Sequence, residues 1–302
     1  MSARGARLRA LLVAAAALGV ASGGCAARES SEGFIEVRRY DAPAARQAVA
    51  VDAEHFFAIS NRVVERFERG SGALVRRWQG PADGPVVHLN SGVVLDGVLY
   101  CAHSNYPAVP MRSSIERFDA ETLRHLGRRL LPDAPGSATW VDRHDGAWWV
   151  GFAHYAGRGG VAGKGPEATT LVRFDDDAGA LRRRRWCAST TTLVRFDDDW
   201  RAVGSWRYPA SVVERFGRYS SSGGAWGPGG LLYVTGHDAP EVYALRLPEA
   251  GFVLDRVAVL PAPIAGQGIA FDPRNPASLW GIVRRLREVR VMEPARSQQA
   301  LE

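Results

Sequence analysis

Histidine and arginine side chains recur at comparable places along this chain. Short aromatic or aliphatic runs are each followed by a polar residue. Counting from each run, the equivalent positions are Asn61, Ser104, His154, His237 and Arg284. His103 directly precedes Ser104. Neutral imidazole binds transition metals and exchanges protons near neutral pH, so this set could bind a ligand or carry chemistry.

A second polar set precedes the same kind of run. It comprises His88, Asn90 and Gln267. If the two sets meet, they form one ligand-binding site. His103, His154 and His237 could then hold a divalent transition metal, although no HxH or HExxH spacing supports this. Asp238 follows His237 directly, and adjacent strand residues point to opposite faces, so we expect Asp238 not to orient that imidazole unless the strand has ended there.

The elements that must position these residues are strands. From residue 34 onward, short apolar runs alternate with turn residues at a spacing typical of an all-β fold. One motif recurs: an apolar run, an Asp-Gly or Gly-Gly turn, and then an aromatic run. Its copies are VVLDGVLYCAHS, TWVDRHDGAWWVGFAHY and AWGPGGLLYVTGHD. Third and fourth strands follow most copies. The pattern predicts a five-bladed β-propeller.

The last blade lacks its outer strand, and residues 34–40 form a strand with no blade of its own. We therefore expect the N-terminal strand to complete the fifth blade near residues 288–292 and to close the ring. In such a ring both polar sets emerge on one face, around the central channel. Tyr106 and Tyr155 begin loops there and are candidates for the rim of a pocket.

Core residues are predicted from the same pattern. Cys101 lies within an apolar strand. Five tryptophans fall in the two inner strands of their blades and are expected between blades; these are Trp140, Trp148, Trp149, Trp226 and Trp280.

Composition excludes several classes of protein. No apolar run reaches the roughly 18 residues that a membrane-spanning helix needs. The formal net charge is +6, but Lys164 is the only lysine and the arginines are spread along the chain. A nucleic-acid-binding surface would cluster them, so no nucleic-acid partner is predicted.

The N-terminus is predicted to be a targeting segment. Residues 1–24 read as a signal peptide, with arginines before a short apolar stretch. Small residues precede Cys25, as in a bacterial lipobox, which predicts lipidation of Cys25. Residues 25–33 would be a tether, 34–295 the propeller and 296–302 a tail. The chain is then an exported protein of the bacterial cell envelope, anchored to the membrane by lipid.

One stretch departs from the repeat. TTLVRFDDD occurs at 169–177 and again at 191–199. Only one copy can be the third strand of the third blade, so residues 169–190 are interpreted as a duplicated insert.

The blade motifs HLNSGVVLDGVLYCAHSNYP, WVDRHDGAWWVGFAHY and GPGGLLYVTGHDAPEVYALRLPEAG resemble the YVTN/quinoprotein-amine-dehydrogenase-like propeller superfamily, and within it a family of exported bacterial propellers. The resemblance covers about residues 50–290 and implies the propeller fold rather than an activity. The element GQGIAFD is also similar to an inner-strand motif of plant-type glutaminyl cyclases. That family uses acidic channel residues, where this chain has His88, Ser137, Ser222 and Gln267.

Two function classes follow. The first is a propeller that binds a small molecule or a protein partner at its channel. The alternative is an enzyme, a lyase, cyclase or hydrolase, that uses the channel histidines as acid and base and holds its substrate with Arg284.

Overall fold

Alternating buried and exposed residues along short strands give this chain its architecture. The computed structural model describes residues 33–132, 134–155, 201–217 and 219–295, and the backbone of residues 192–196. Over these residues the chain is all-β, with the strands in a β-propeller arrangement. The predicted signal peptide, Cys25, nearly all of the tether, the insert at 169–190 and the tail lie outside the described residues.

The strands form five antiparallel sheets of four strands each. Sheet 1 contains β2 (Ala48–Val51), β3 (His55–Ser60), β4 (Val63–Glu68) and β5 (Leu74–Gln79). Sheet 2 contains β6 (Leu89–Leu95), β7 (Val98–Ser104), β8 (Ser113–Asp119) and β9 (His125–Leu131). Sheet 3 contains β10 (Ser137–His144), β11 (Ala147–Ala153), β12 (Thr192–Phe196) and β13 (Ala202–Arg207). Sheet 4 contains β14 (Gly223–Gly227), β15 (Leu231–Thr235), β16 (Glu241–Arg246) and β17 (Asp255–Pro261). Sheet 5 contains β18 (Ala270–Phe271), β19 (Leu279–Val283), β20 (Glu288–Pro294) and β1 (Phe34–Asp41).

The first strand of each sheet lies beside the first strand of the next. β2 contacts β6, β6 contacts β10, β10 contacts β14, β14 contacts β18, and β18 contacts β2. Small residues allow this close approach. Gly268, for example, faces Ala48 and Ser91, where a Cβ atom would overlap its neighbours.

The N-terminal strand β1 pairs antiparallel with β20, from Phe34 opposite Pro294 to Asp41 opposite Glu288. Its Tyr40 packs against Phe56 of sheet 1 and Trp280 of sheet 5. Both ends of the described chain therefore lie in sheet 5, which β1 also packs against sheet 1 through Tyr40.

Two hairpins show why Asp-Gly recurs in the sequence. Asp96–Gly97 and Asp145–Gly146 connect the first two strands of sheets 2 and 3, and all four residues have φ between 46° and 74°. Aspartate and glycine tolerate this left-handed backbone, which matches the twist of a tight hairpin.

The predicted core is confirmed, since Cys101 and all five predicted tryptophans are buried. The second copy of the repeated nonapeptide supplies β12, which pairs with β11 and β13. Sequence patterning predicted almost no helix, yet α1 (Ala210–Phe216) follows Pro209 and buries Val212 and Phe216. Within the described ranges no helix has the length and apolar character needed to cross a membrane.

Candidate functional site

The five aligned polar residues follow the second strands of the sheets. β3, β7, β11, β15 and β19 end at Ser60, Ser104, Ala153, Thr235 and Val283. Asn61, Ser104, His154, His237 and Arg284 therefore lie at or within two residues of a strand end.

Arg284 and His237 meet at this face. Arg284 Nη1 lies 3.1 Å from His237 Nε2, and His237 Nδ1 lies 2.8 Å from Asp238 Oδ1. A guanidinium only donates hydrogen bonds, so Nε2 must be the acceptor. Nδ1 is close to the carboxylate but has no partner with hydrogen-bond geometry among the described residues. β15 ends at Thr235, so strand alternation no longer applies at 237 and 238, and Asp238 lies beside His237.

Aromatic rings surround the same place. Tyr219 stacks on His237 with ring centroids 4.0 Å apart. The His88 ring lies 5.2 Å from that of Tyr106, which in turn contacts Tyr155 edge-on at 4.9 Å. We call these residues the channel-face cluster: His88, Tyr106, Tyr155, Tyr219, His237 and Arg284.

The charge of Arg284 also affects the pKa of His88. Burial lowers the pKa of His88 to about 4, and the positive charge of Arg284 contributes to that lowering. His88 is therefore neutral at physiological pH and can both donate and accept a hydrogen bond. Burial raises the pKa of Tyr155 to about 12, so its hydroxyl remains protonated.

The members of the cluster are neither sealed in the core nor free in solvent, since all six are part-exposed. Beneath them lie fully buried polar residues at the inner-strand starts. Asn90 Nδ2 donates to Ala138 O at 2.9 Å, and Ser137 Oγ donates to Ser104 Oγ at 2.8 Å. Asn90 and Ser104 thus join sheet 2 to sheet 3 and are not exposed to a ligand.

Gln267 has a similar positioning role. Its Nε2 donates to His237 O at 2.8 Å, and its own carbonyl accepts from Thr235 Oγ1. The residue is buried and has φ of 71°, a left-handed backbone that is unusual outside glycine. Three bonds to the end of β15 and the loop after it stabilise this conformation, counting the 2.9 Å bond from Gln267 N to Gly236 O. Gln267 therefore holds the loop that carries His237.

His103 does not belong to the cluster. Its Nε2 accepts from Val87 N at 3.1 Å, and Nδ1 lies 2.9 Å from Ser114 Oγ, which donates to Glu116 Oε1 at 2.8 Å. Burial lowers the pKa of His103 to about 4, and the nearby His88, Arg128 and His125 contribute to that lowering. Both ring nitrogens are occupied within sheet 2, so His103 faces the interior of the sheet rather than the channel.

The metal set His103, His154 and His237 is not assembled. Across the described part of the chain, no group of three or more His, Cys, Asp or Glu side chains is placed to hold a metal ion. The physical reasons are visible at two members, because His103 has no free lone pair and His237 Nε2 faces a guanidinium. His154 is part-buried and its ring lies close to Gly136, directly before β10.

Sequence reasoning missed three contributors to this face: Tyr219, Arg46 and Arg287. Tyr219 follows α1, which was not predicted. Arg46 and Arg287 stand in turns, where nothing in the strand pattern distinguishes them from the other arginines. Only the packing of two turns against each other brings them together.

No protein-family model and no curated protein matches this chain. Solved structures do share its strand arrangement. Hydrazine synthase from Kuenenia stuttgartiensis is 12% identical, with a TM-score of 0.42, over 81% of this chain and 70% of that chain. The WD40 β-propeller domain of Doa1 is 10% identical, with a TM-score of 0.45, over 89% and 98%.

A putative oxidoreductase (glucose dehydrogenase) from Thermus thermophilus is 12% identical, with a TM-score of 0.49, over 87% of this chain and 100% of that chain. These likenesses concern the propeller fold. At such identities and TM-scores the activities named for those proteins carry nothing over to this chain.

Proposed function

We propose that this chain is an exported, lipid-anchored, five-bladed β-propeller that binds a small ligand at the channel-face cluster. The resemblance of its blade motifs to exported YVTN-like propellers is in keeping with this function. The proposal has three parts: the ring, the ligand site and the anchor.

The five sheets are the five blades of one ring, closed by β1. Two observations support this part. The inner strands contact one another in a cycle that returns from β18 to β2, and β1 supplies the outer strand that sheet 5 lacks. A closed ring leaves no inner edge open, which favours a monomer over edge-to-edge association.

One observation carries the ligand site: side chains from different sheets converge at one part-exposed place. His88 and Tyr106 come from the ends of sheet 2, Tyr155 from sheet 3, and Arg284 from sheet 5. Ser91 Oγ, buried nearby at the start of β6, has no hydrogen-bond partner among the described residues. A face built only for packing would bring apolar groups together, whereas a few polar groups that converge among aromatic rings are typical of a binding site.

The experiment is a thermal-shift screen of small molecules against the purified chain. A ligand that binds the native state must raise the melting temperature. We expect at least one class to do so, and His88→Ala and Tyr106→Ala to abolish its effect.

His55→Ala is the matched control, because His55 lies at the start of β3, the end of that strand remote from Asn61. The control should bind as the native chain does. Equal shifts in all three variants, or no shift with any class, would contradict a site at this face.

The anchor is tested separately at Cys25. Labelling with a palmitate analogue in a bacterial host should mark the native chain and not Cys25→Ser. A soluble, unlabelled native chain would remove the anchor from the proposal without affecting the ligand site.

The pairing of Asp238 with His237 favours a second candidate, an enzyme in which His237 acts as a base. Aspartate that faces Nδ1 supports proton uptake at Nε2. In this arrangement Arg284 occupies Nε2, so His237 is not free to take a proton, and ligand binding is the better-supported function. Turnover of a bound ligand that is lost in His237→Gln and retained in Arg284→Gln would favour the enzyme.

A further inference from the structure

We propose that the ligand bound at the channel face carries an oxyanion, a carboxylate or a phosphate, and that Arg284, Arg287 and Arg46 bind it at the seam between sheets 5 and 1. This inference rests on the proposed ligand site and names the class of ligand that the site takes.

The first step concerns Arg284. Its Nη1 donates to the His237 imidazole, and Asp238 lies near the other nitrogen of that ring. The guanidinium is therefore held in position while its charge is not neutralised by direct contact with a carboxylate. The remaining N–H groups of its planar fork are available to an oxyanion.

The second step brings two more arginines to the same place. The turn between β19 and β20 packs against the segment that follows β1. Ala42 N donates to Arg287 O at 2.8 Å, and Arg287 Nη1 donates to Pro43 O at 3.1 Å. Arg46 belongs to this same segment, directly before Gln47, and is exposed. The seam therefore gathers guanidinium groups from two turns.

Two neighbouring positive charges act on Arg287. Burial lowers the pKa of Arg287, and the charges of Arg46 and Arg284 lower it further. Arg284 and Arg287 belong to one turn, and Arg287 donates to the segment that carries Arg46, so the positive potential of the three residues attracts an anion. Within the described ranges, no ion pair includes Arg46, Arg284 or Arg287.

The carboxylates near the seam have other neighbours. Asp238 lies against His237, and Asp41 lies in the surface groove beside Arg287 and acts on Arg39. A guanidinium fork binds carboxylate and phosphate through paired hydrogen bonds, which gives the seam its chemical selectivity. Neutral His88 adds a donor and an acceptor, and the tyrosine rings offer flat apolar contact to the rest of the ligand.

The test measures anion binding by calorimetry and by melting temperature, with inorganic phosphate and citrate as separate probes. Sodium chloride at matched ionic strength controls for screening. We expect one or both probes to raise the melting temperature more than chloride does. We expect Arg284→Gln and Arg287→Gln each to weaken binding about tenfold, since each removes charge-assisted hydrogen bonds.

Arg76→Gln is the matched control, because Arg76 is exposed on the outer strand β5, away from the seam. It should bind as the native chain does. Binding of phosphate but not of citrate would assign a phosphate group to the ligand. Binding of citrate but not of phosphate would assign a carboxylate.

The failures are distinguishable. Neutral compounds that bind and depend on His88 and Tyr106, with no anion effect, would overturn this inference and leave the proposed site standing. If the anions raise the melting temperature equally in the native chain, in Arg284→Gln and in Arg76→Gln, the binding is non-specific and the inference is overturned. No binding of any compound would overturn both.

Discussion

At the scale of the residue, three histidines differ in what their ring nitrogens can bind, because their neighbouring residues differ. His103 is locked inside sheet 2 with both nitrogens engaged, and His237 is held between Asp238 and Arg284. His88 is largely buried, neutral and beside an aromatic ring. All three residues carry the same imidazole. Among them, only His88 is both part-exposed and without a hydrogen bond at either ring nitrogen within the described chain.

The lowered pKa of His88 predicts a pH dependence of stability. The unfolded chain binds this proton near pH 6.5 and the folded chain only near pH 4. The stabilising contribution is therefore complete above pH 6.5 and is lost as the pH falls through 4. In His88→Gln, the slope of unfolding free energy against pH in this window should be smaller by up to about 1.4 kcal/mol per pH unit.

Urea denaturation of both proteins at several values between pH 4 and pH 7.5 measures that difference. The comparison with the native chain isolates His88, since other groups titrate in the same window. If the unfolding free energies of the native chain and of His88→Gln change in parallel with pH, His88 is not held neutral in the folded chain.

At the scale of the element, buried carboxylates join neighbouring sheets. Asp142 of β10 accepts from Trp226 N of β14 at 2.7 Å and from Arg143 N at 2.7 Å. Asp272, directly after β18, forms an ion pair with Arg69, in the turn between β4 and β5. Sheets that touch along packed side chains thus gain directional bonds that set their relative positions.

Asp142 supplies the second prediction. Burial raises its pKa to about 6, so its contribution to stability is complete below pH 3.8 and is lost as the pH rises through 6. Asp142→Asn should remove this loss while keeping an acceptor oxygen. Asp142→Ala should cost about 1–3 kcal/mol at pH 4.5, because it leaves the buried Trp226 N–H without a partner, and less at pH 7, where the native chain has lost the contribution of protonated Asp142.

Denaturation of the three proteins at pH 4.5 and pH 7 measures both effects. Asp142→Ala with the stability of the native chain would show that the bond between sheets 3 and 4 contributes nothing. An Asn variant with the native pH dependence would place the titration at another group.

At the scale of the whole molecule, contacts between distant segments meet at the seam between sheets 5 and 1. β1 pairs with β20, Tyr40 packs on Phe56 and Trp280, and the Arg69 guanidinium lies over the Trp280 ring at 5.1 Å. Residues distant in sequence therefore carry the contacts that join the two ends of the described fold.

Removal of β1 is the third prediction. A chain that begins at Ala42 should melt well below one that begins at Gly33, because Tyr40 leaves its cluster and the edge of β20 opens. Exposed strand edges pair with other chains, so the shorter protein should also self-associate. Thermal melts and light scattering measure these outcomes. If the two proteins melt at the same temperature and both stay monomeric, the proposed closing role of β1 is contradicted.

Much of the architecture follows from local pattern. Strand alternation, the Asp-Gly hairpins and the recurrence of four strands per unit all depend on residues close in sequence, and the structure places strands there. The alignment of strand ends likewise selected His237 and Arg284, whose side chains lie 3.1 Å apart in the structure.

Contacts between distant segments decided the rest. VVERF occurs twice: residues 63–67 lie in β4 with Glu65 buried, whereas 212–216 lie in α1 with Glu214 exposed. The same five residues adopt both forms because β4 has β3 and β5 to pair with, while Pro209 and Gly217 bound an isolated turn of helix. The surroundings of His103 escaped prediction for the same reason, since its partners Val87 and Ser114 come from packing that strand periodicity does not contain.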